Sequence, residues 1–277
     1  DYIFSKTAQR PKIAIVCGSG LGGITGILKD PELISYKDIP NFPISSVPGH
    51  AGKLVFGKLG NKDVVCMSGR VHAYEGQPLW KVTFAMRVFD SMGIKVVILT
   101  NAAGGVGEKT KEGDLIILKD HINLPGLCGF NPLVGLNDER FGARFQETTV
   151  CYDKELRDIA LKMAKDCKMD FVCEGVYIYQ VGPTFESPSE VKFLKLIGGD
   201  MVGMSTVPEV VVARHRGMRC LGISLITNKC IDVFDSNKKP NHEEVLELSK
   251  QRSCELQKLI SKIVDAISLE QASACGI

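Results

Sequence analysis

The amino-acid sequence predicts an α/β fold, a single domain in which helices flank a mixed, largely parallel β-sheet. Apolar runs rich in β-branched residues alternate with amphipathic segments along the chain. Most of these runs are continuous, which is typical of strands covered by helices on both faces. No repeat, low-complexity tract or linker-like change of composition divides the chain. We therefore expect one domain over residues 1–277, with residues 1–11 as an N-terminal extension.

Eight apolar runs are predicted to form the strands of this sheet. The letters GNK between the second and third runs form a turn, so these two strands are expected to pair as a β-hairpin. The runs are, in chain order, residues 12–17, 53–59, 63–67, 95–100, 114–119, 175–181, 200–204 and 219–226.

The helices are predicted from amphipathic spacing and from start signals. The third begins at SPSE, where Ser187 is the expected N-cap, Pro188 takes the first position and Glu190 completes a capping box. The last carries Glu243 and Glu244 in its first turn, which is favourable against the helix dipole. Its apolar residues keep a helical spacing, so we expect it to cover the sheet. The predicted helices are residues 78–92, 154–167, 188–196, 208–216 and 242–268.

Composition and charge narrow the possible functions. Apolar residues make up 44% of the chain and charged residues 24%, while the formal net charge is only +2. These values are typical of globular proteins and do not favour a nucleic-acid or membrane partner. No apolar run approaches the roughly 18 residues needed to span a bilayer. The first twelve residues lack the apolar core of a signal peptide.

The ten cysteines and five histidines indicate no metal site, because none forms a C-x-x-C or H-E-x-x-H pattern. Cys17, Cys66 and Cys220 lie within apolar runs and are expected to be small buried thiols. A chain of this length can build its core without disulfides. We therefore expect reduced cysteines and a cytoplasmic location.

The segment KIAIVCGSGLGG poses the question of a nucleotide cofactor. Gly18, Gly20 and Gly23 match G-x-G-x-x-G, the turn of dinucleotide-binding domains. Such domains also need an acidic residue about 20 residues later, at the end of a second strand. Here two prolines follow Asp38, and they do not suit a central strand. We expect the loop, followed by a helix start, to offer backbone N–H groups and the Ser19 hydroxyl to a small anion. A tight turn that binds nothing is the alternative.

Further polar segments follow other predicted strands. In SGRVHAYEG, an extended chain would point Arg70, His72 and Tyr74 the same way, and the arginine and histidine together would suit an oxyanion. A surface loop with a chance basic pair is the alternative. Because ligand sites in α/β sheets form where strands end, these segments are expected to share one site. The others are TNAAGG, GPTFES, GMSTVPE and SLITNK.

Together these segments resemble the trimeric purine nucleoside phosphorylases, the low-molecular-weight class that prefers 6-oxopurine nucleosides. The resemblance covers nearly the whole chain from Ile13 onward. It implies a nucleoside phosphorylase fold, inorganic phosphate as a co-substrate in the glycine loop, no cofactor and a homotrimer. It is carried by CGSGLGG, VPGHAG, GRVHAYEGQPLWKVTF, TNAAGG, DHINLPG, GPTFES, VGMSTVPEVVVARH, SLITNK and NHEEV.

The resemblance implies a role for each site residue. The phosphate-binding positions are Ser19, His50, Arg70, His72, the backbone at Ala102, and Ser205. The ribose-binding positions are Tyr74, Met204 and His242, together with Phe145 from a neighbouring subunit. The purine-binding positions are Phe185, Glu186, Thr227 and Asn228. Asn228, Glu186 and His72 are the residues expected to be catalytic.

The implied reaction is phosphorolysis of inosine and guanosine in purine salvage. Glu186 would accept the N1–H of a 6-oxopurine, and Asn228 stands where the related methylthioadenosine phosphorylases have aspartate. The chain departs from the family pattern at Val71, Ala73 and Tyr179, and also at Gln180 and in residues 229–240. These changes bear on pocket volume, loop closure and substrate range. The alternatives are a phosphorylase of broader or methylthioadenosine-type specificity, an NAD-dependent oxidoreductase and a nucleoside-binding protein without activity.

Overall fold

Nine strands form one mixed sheet in the computed structural model, which describes residues 1–47, 51–237 and 242–269. This confirms the predicted α/β class. The strands are β1 (Ile13–Cys17), β2 (Lys29–Ser35), β3 (Lys53–Leu59), β4 (Lys62–Ser68), β5 (Val96–Gly105), β6 (Leu115–Asn123), β7 (Val172–Tyr179), β8 (Met201–Gly203) and β9 (Arg219–Lys229).

The sheet runs in the order β2-β3-β4-β1-β5-β8-β7-β6-β9, and β9 also pairs with β5. This extra pairing closes the last five strands of that order into a ring. Among the described residues, five pairings are parallel and four are antiparallel, so the sheet is mixed with parallel pairs in a small majority. The antiparallel pairs include the predicted hairpin, β3 with β4.

Two long predicted helices are each interrupted. The segment predicted at 78–92 is divided at Thr83, whose Oγ1 donates to the Leu79 carbonyl at 2.8 Å. The segment predicted at 242–268 is interrupted at Arg252. The helices are α1 (Tyr2–Lys6), α2 (Leu79–Val82), α3 (Phe84–Ser91), α4 (Leu124–Leu127), α5 (Lys154–Asp166), α6 (Pro188–Leu196), α7 (Val207–His215), α8 (His242–Gln251) and α9 (Ser253–Ala266).

The central strands are buried on both faces, which explains their continuous apolar sequence. In β1, Ala14 and Val16 pack into one core cluster, and Ile13 and Ile15 pack into another. Helices α3 and α7 contribute to the first cluster, and α5 and α9 contribute to the second. Ile3 of the N-terminal segment is also buried, so residues 1–11 pack against the domain.

The predicted buried thiols are confirmed, because Cys17, Cys66 and Cys220 are each at most 2% exposed. No helix of the described ranges is both long and apolar enough to cross a membrane.

Three further local features differ from the prediction. Strand β2 was missed because it lies at the sheet edge, where its charged residues and Pro31 are tolerated. Strand β5 continues to Gly105 because its small residues keep pairing with β9, with Ala102 opposite Leu225. The segment after the glycine loop is a 3₁₀ helix at Gly22–Ile27 rather than the start of an α-helix.

Candidate active site

One cavity of about 260 Å³ lies where β1, β4, β5, β8 and β9 end. Its walls include eleven of the fourteen residues predicted for the site. This gathering follows from the sheet, because strand ends that are distant in sequence meet along one edge. The eleven are Ser19, Arg70, His72, Tyr74, Ala102, Phe185, Glu186, Met204, Ser205, Thr227 and Asn228.

The three other predicted residues do not line this cavity as described. His50 lies outside the described residues. His242 begins α8, and its side chain also lies outside the described part, although Val245 of the same helix borders the cavity. Phe145 is 88% exposed and does not line the cavity of its own chain.

The glycine loop owes its glycines to close packing. A Cβ at Gly18 would stand 2.7 Å from both the Cα of Asn101 and the carbonyl oxygen of Thr100. The Gly18 N–H donates to Thr100 Oγ1 at 3.1 Å, which fastens the loop to β5. Gly20 has a positive φ of 73°, and a Cβ there would lie 2.6 Å from Ser249 Cβ on α8. The match to a dinucleotide-binding pattern therefore has a packing explanation.

Arg70 follows β4 and is a buried cation, 1% exposed. Its Nη1 donates to Ser205 Oγ at 2.9 Å and to Thr206 Oγ1 at 3.3 Å. Its Nη2 lies 3.3 Å from Oε2 of Glu209, which is itself 2% exposed. Burial raises the pKa of Glu209, while the positive charge of Arg70 opposes that shift. The two charges hold the guanidinium at the cavity wall.

Sequence reasoning missed Glu209. A signal was present, because Glu209 is the single carboxylate in VPEVVVA, a helix that is otherwise apolar in this stretch. A lone charge in a buried helix indicates a buried partner of opposite charge. The sequence does not say which cation that partner is.

Thr206 joins Arg70 to the centre of the sheet. It has a positive φ of 71°, which costs free energy in a β-branched residue. Its Oγ1 accepts from Asn101 Nδ2 at 2.9 Å as well as from Arg70, and Asn101 is 1% exposed. These contacts hold the strained residue in place immediately before α7, next to the Ser205 hydroxyl.

His72 is fixed by Glu75. The predicted extended run through Arg70, His72 and Tyr74 was wrong in part, because residues Ala73–Glu75 form a 3₁₀ turn. Tyr74 stacks on the His72 ring at 4.7 Å between centroids, so all three side chains still reach the cavity. Oε1 of Glu75 accepts from the His72 backbone N–H at 2.7 Å and lies 3.4 Å from its Nδ1. The Glu75 carboxylate therefore helps to fix both the backbone of His72 and the orientation of its ring.

The Glu75 carboxylate also accepts hydrogen bonds from the backbone N–H of Ser46 at 2.6 Å and from the hydroxyls of Ser45 and Ser46. Burial works against its ionisation, but the hydrogen bonds from His72 and Ser46 outweigh burial and lower the pKa of Glu75 to about 2. Glu75 thereby joins the His72 turn to residues 45–46.

Glu186 and Asn228 provide the acceptor and amide groups of the cavity. Thr227 Oγ1 donates to Asn228 Oδ1 at 3.2 Å. Oε1 of Glu186 accepts from Gln180 Nε2 at 2.8 Å, and Oε2 lies 3.9 Å from the Cys230 sulfur. Burial raises the pKa of Glu186, and the bonds from Gln180 and Cys230 act in the opposite direction. Burial and the nearby Glu186 charge raise the pKa of the Cys230 thiol to about 12.

Phe185 flanks Glu186 and is 44% exposed, so its ring is available as an apolar wall of the cavity. Within the described ranges, no group of three or more His, Cys, Asp and Glu side chains could hold a metal ion. The cavity thus combines the positive charge of Arg70, which suits an anion, with the Glu186 carboxylate and the Asn228 amide, which suit the polar edge of a heterocycle. The Phe185 ring adds an aromatic wall.

Known proteins share this fold and much of this sequence. Residues 12–265 match the family model of the phosphorylase superfamily. The purine nucleoside phosphorylase of Bos taurus is 49% identical over 267 residues, 96% of this chain and 92% of that protein. Solved complexes of Schistosoma mansoni purine nucleoside phosphorylase with adenosine and with inosine each give a TM-score of 0.93 at 44% identity. They cover 96% of this chain and 95% and 94% of theirs. The chain therefore belongs to the phosphorylase superfamily, in the family of purine nucleoside phosphorylases.

Proposed function

We propose that the chain catalyses reversible phosphorolysis of 6-oxopurine (deoxy)ribonucleosides such as inosine and guanosine, which yields the free base and (deoxy)ribose 1-phosphate in purine salvage. One observation carries this proposal: a single cavity holds the Arg70–His72 pair together with Glu186 and Asn228. A buried arginine beside a histidine suits phosphate. A carboxylate beside an amide suits the hydrogen-bonding edge of a 6-oxopurine.

Phosphate is the nucleophile in this reaction. Its oxygen forms a bond to the anomeric carbon while the N-glycosidic bond breaks, through an oxocarbenium-like state of the kind known from glycoside hydrolysis. Arg70, held by Ser205, Thr206 and Glu209, orients the phosphate. The negative charge of the phosphate stabilises the positive charge that develops on the sugar. No carboxylate nucleophile and no cofactor are needed.

The electron pair of the broken bond passes to the purine, which takes up a proton as it leaves. The Asn228 amide is proposed to hydrogen-bond the base at N7 and O6, where this charge accumulates. The Thr227 hydroxyl, which donates to Asn228 Oδ1, supports that orientation of the amide. Ser19, His50 and the Ala102 backbone are proposed to complete the phosphate site, and Tyr74, Met204 and His242 the ribose site.

Glu186 is proposed to select the base. As a carboxylate it accepts the N1–H of inosine or guanosine, whereas adenosine offers only a lone pair at N1. Sites built on such a hydrogen bond reject the analogue that lacks it by about 10⁴–10⁵. Because burial raises the pKa of Glu186, inosine use should decline on the acid side at a higher pH than an ordinary carboxyl would give.

A broader specificity is the second candidate, because the Schistosoma mansoni relative has been solved in complex with adenosine. The test is base release from inosine, guanosine, adenosine and methylthioadenosine, each with and without inorganic phosphate. Phosphate-dependent release of hypoxanthine and guanine with little adenine supports the proposal. Strong adenine release favours the broader specificity. The absence of release from all four nucleosides contradicts phosphorolysis.

The active unit is proposed to be a homotrimer in which Phe145 completes the neighbouring sugar site. Its exposed ring belongs to residues 127–150, a stretch of the chain that also carries the exposed apolar side chains of Leu127, Val134 and Leu136. Exposed apolar side chains favour contact with another chain. A molar mass by light scattering tests the trimer directly. The cytoplasmic location stays a prediction from the cysteines.

A further inference from the structure

Gln180 is a polar residue immediately after β7, at a position where the family pattern is usually apolar. Its side chain makes three short hydrogen bonds. Oε1 accepts from the Gly182 N–H at 2.7 Å, and Nε2 donates to the Thr184 carbonyl at 3.0 Å and to Glu186 Oε1 at 2.8 Å. The residue is partly buried beside the cavity.

These bonds determine which way the amide faces. The Gly182 N–H needs an acceptor, and the Thr184 carbonyl and the Glu186 carboxylate need donors. A flipped Gln180 amide would oppose all three neighbours, so the NH₂ group must face Glu186. Both N–H bonds of that group are then used within the protein. Gln180 therefore acts on the base through Glu186 rather than by direct contact.

Gln180 is the nearest side-chain donor to the Glu186 carboxylate, at 2.8 Å from Oε1. The backbone N–H of Glu186 also favours the ionised carboxylate, whereas the Cys230 thiol, 3.9 Å from Oε2, is a weak donor. Burial and the charge of Glu190 on α6 both oppose ionisation of Glu186. A carboxylate in these surroundings needs a fixed hydrogen bond to remain a well-oriented acceptor.

We propose that Gln180 is a positioning residue for base selection: its amide holds Glu186 Oε1 in place, so that the carboxylate is presented to the N1–H of a 6-oxopurine. This inference rests on the proposed function for the role of Glu186. The side-chain amide of Gln180 thus hydrogen-bonds to Gly182, Thr184 and Glu186, all within residues 180–186.

The test compares Gln180→Met, which keeps the length of the side chain but cannot donate, with the wild-type protein. Hydrogen bonds to charged groups are the strong class, so we expect kcat/KM for inosine to fall roughly tenfold or more. The loss should appear in the inosine KM, the phosphate KM should stay unchanged, and the inosine-to-adenosine ratio should fall. Gln251→Met is the matched control, because Gln251 donates to Glu247 at 3.2 Å on an exposed helix face.

A double-mutant cycle separates positioning from a structural role. In a Glu186→Ala background, Gln180→Met should cost nothing further in inosine KM. An equal loss in both backgrounds, or an unchanged KM and ratio in the single variant, overturns the proposal. Thermal unfolding checks that each variant folds, and Gln180→Leu replaces Gln180→Met if the latter does not.

Failure of phosphorolysis itself would look different, since the wild-type protein would then release no base from any of the four nucleosides. Hypoxanthine binding by calorimetry still tests Gln180 in that case. Weaker binding by Gln180→Met than by the wild type supports the proposal, and equal affinity overturns it.

Discussion

Arg70 shows how a buried charge can be kept ready for an anion. Its guanidinium lies between the carboxylate of Glu209 and the hydroxyls of Ser205 and Thr206. A buried cation without such partners would be strongly destabilising. Because Glu209 supplies the compensating charge, the site can persist before phosphate arrives, and the arginine does not have to reorganise when phosphate binds.

We expect Glu209→Gln to lower the stability of the phosphate-free protein by about 3–5 kcal/mol, because it removes the carboxylate that lies 3.3 Å from the buried Arg70 charge. Phosphate should then restore more stability to the variant than to the wild type, since it supplies the missing negative charge. Thermal melts with and without phosphate measure this difference. Equal phosphate-induced shifts in the two proteins would contradict the assigned partnership.

Asn228 is the residue at which base preference should be most easily shifted. We expect Asn228→Asp to raise activity on adenosine relative to inosine, because a carboxylate accepts from a 6-amino group and repels a 6-oxo group. The ratio of kcat/KM for the two nucleosides measures the change. An unchanged ratio would remove Asn228 from base recognition, and a normal phosphate KM would show that the rest of the site is intact.

At the scale of elements, the site depends on short connections between strand ends and helices. The turn Ala73–Glu75 brings Tyr74 onto His72, and Glu75 ties that turn to residues 45–46. Helix α7 carries Glu209 in its first turn, immediately after Ser205 and Thr206. Most of the functional side chains thus lie in the short segments that follow the strands, and Arg70 is oriented in part by Glu209 from a helix.

Glu75 makes the junction between its turn and residues 45–46 sensitive to acid. Its pKa lies at about 2 in the folded protein instead of 4.5, so the folded state binds fewer protons than the unfolded state between these values. The stabilisation is complete above pH 4.5 and is lost as the pH falls toward 2. We expect Glu75→Gln to flatten the fall in unfolding free energy over that range.

Urea unfolding at a series of pH values measures the effect of Glu75→Gln. The exposed Glu108→Gln serves as the control and should leave the slope unchanged. A wild-type slope in Glu75→Gln would mean that the hydrogen bonds from His72 and Ser46 do not stabilise the carboxylate.

At the scale of the whole molecule, the buried helix α7 connects the wall of the cavity with the segment that precedes Phe145. It begins beside Arg70 and ends at His215, whose Nε2 donates to the Ala143 carbonyl at 2.9 Å. Arg216 donates to the Arg140 carbonyl at 2.8 Å. These bonds tie residues 140–143, which precede Phe145, to the end of α7. The exposed Phe145 ring therefore follows a segment that is anchored to the domain.

If Phe145 completes a neighbouring site, Phe145→Ala should raise the nucleoside KM about tenfold or more without changing the molar mass, because a phenyl ring buried at the sugar is lost. Co-refolding Phe145→Ala with Arg70→Ala subunits should recover activity, since mixed trimers contain sites that combine an intact Arg70 with an intact Phe145. If mixed oligomers form but catalytic activity is not recovered, the shared site is contradicted.

The sequence by itself determined the fold class, most strands and helices, and the family. Continuous apolar runs require a sheet covered on both faces, and capping signals such as Ser187 and Glu190 act within one turn, so both can be seen locally. The ordered motifs also identified eleven residues that line the cavity, although their roles are still to be tested.

Only the tertiary structure decided the rest. The edge strand β2 and the closure of the ring by β9 on β5 depend on pairing between distant segments. The same holds for the partnerships of Arg70 with Glu209 and of Gln180 with Glu186. The local sequence shows which polar or charged groups need a hydrogen-bond or ion-pair partner once they are buried. Only the tertiary structure determines which residue that partner is.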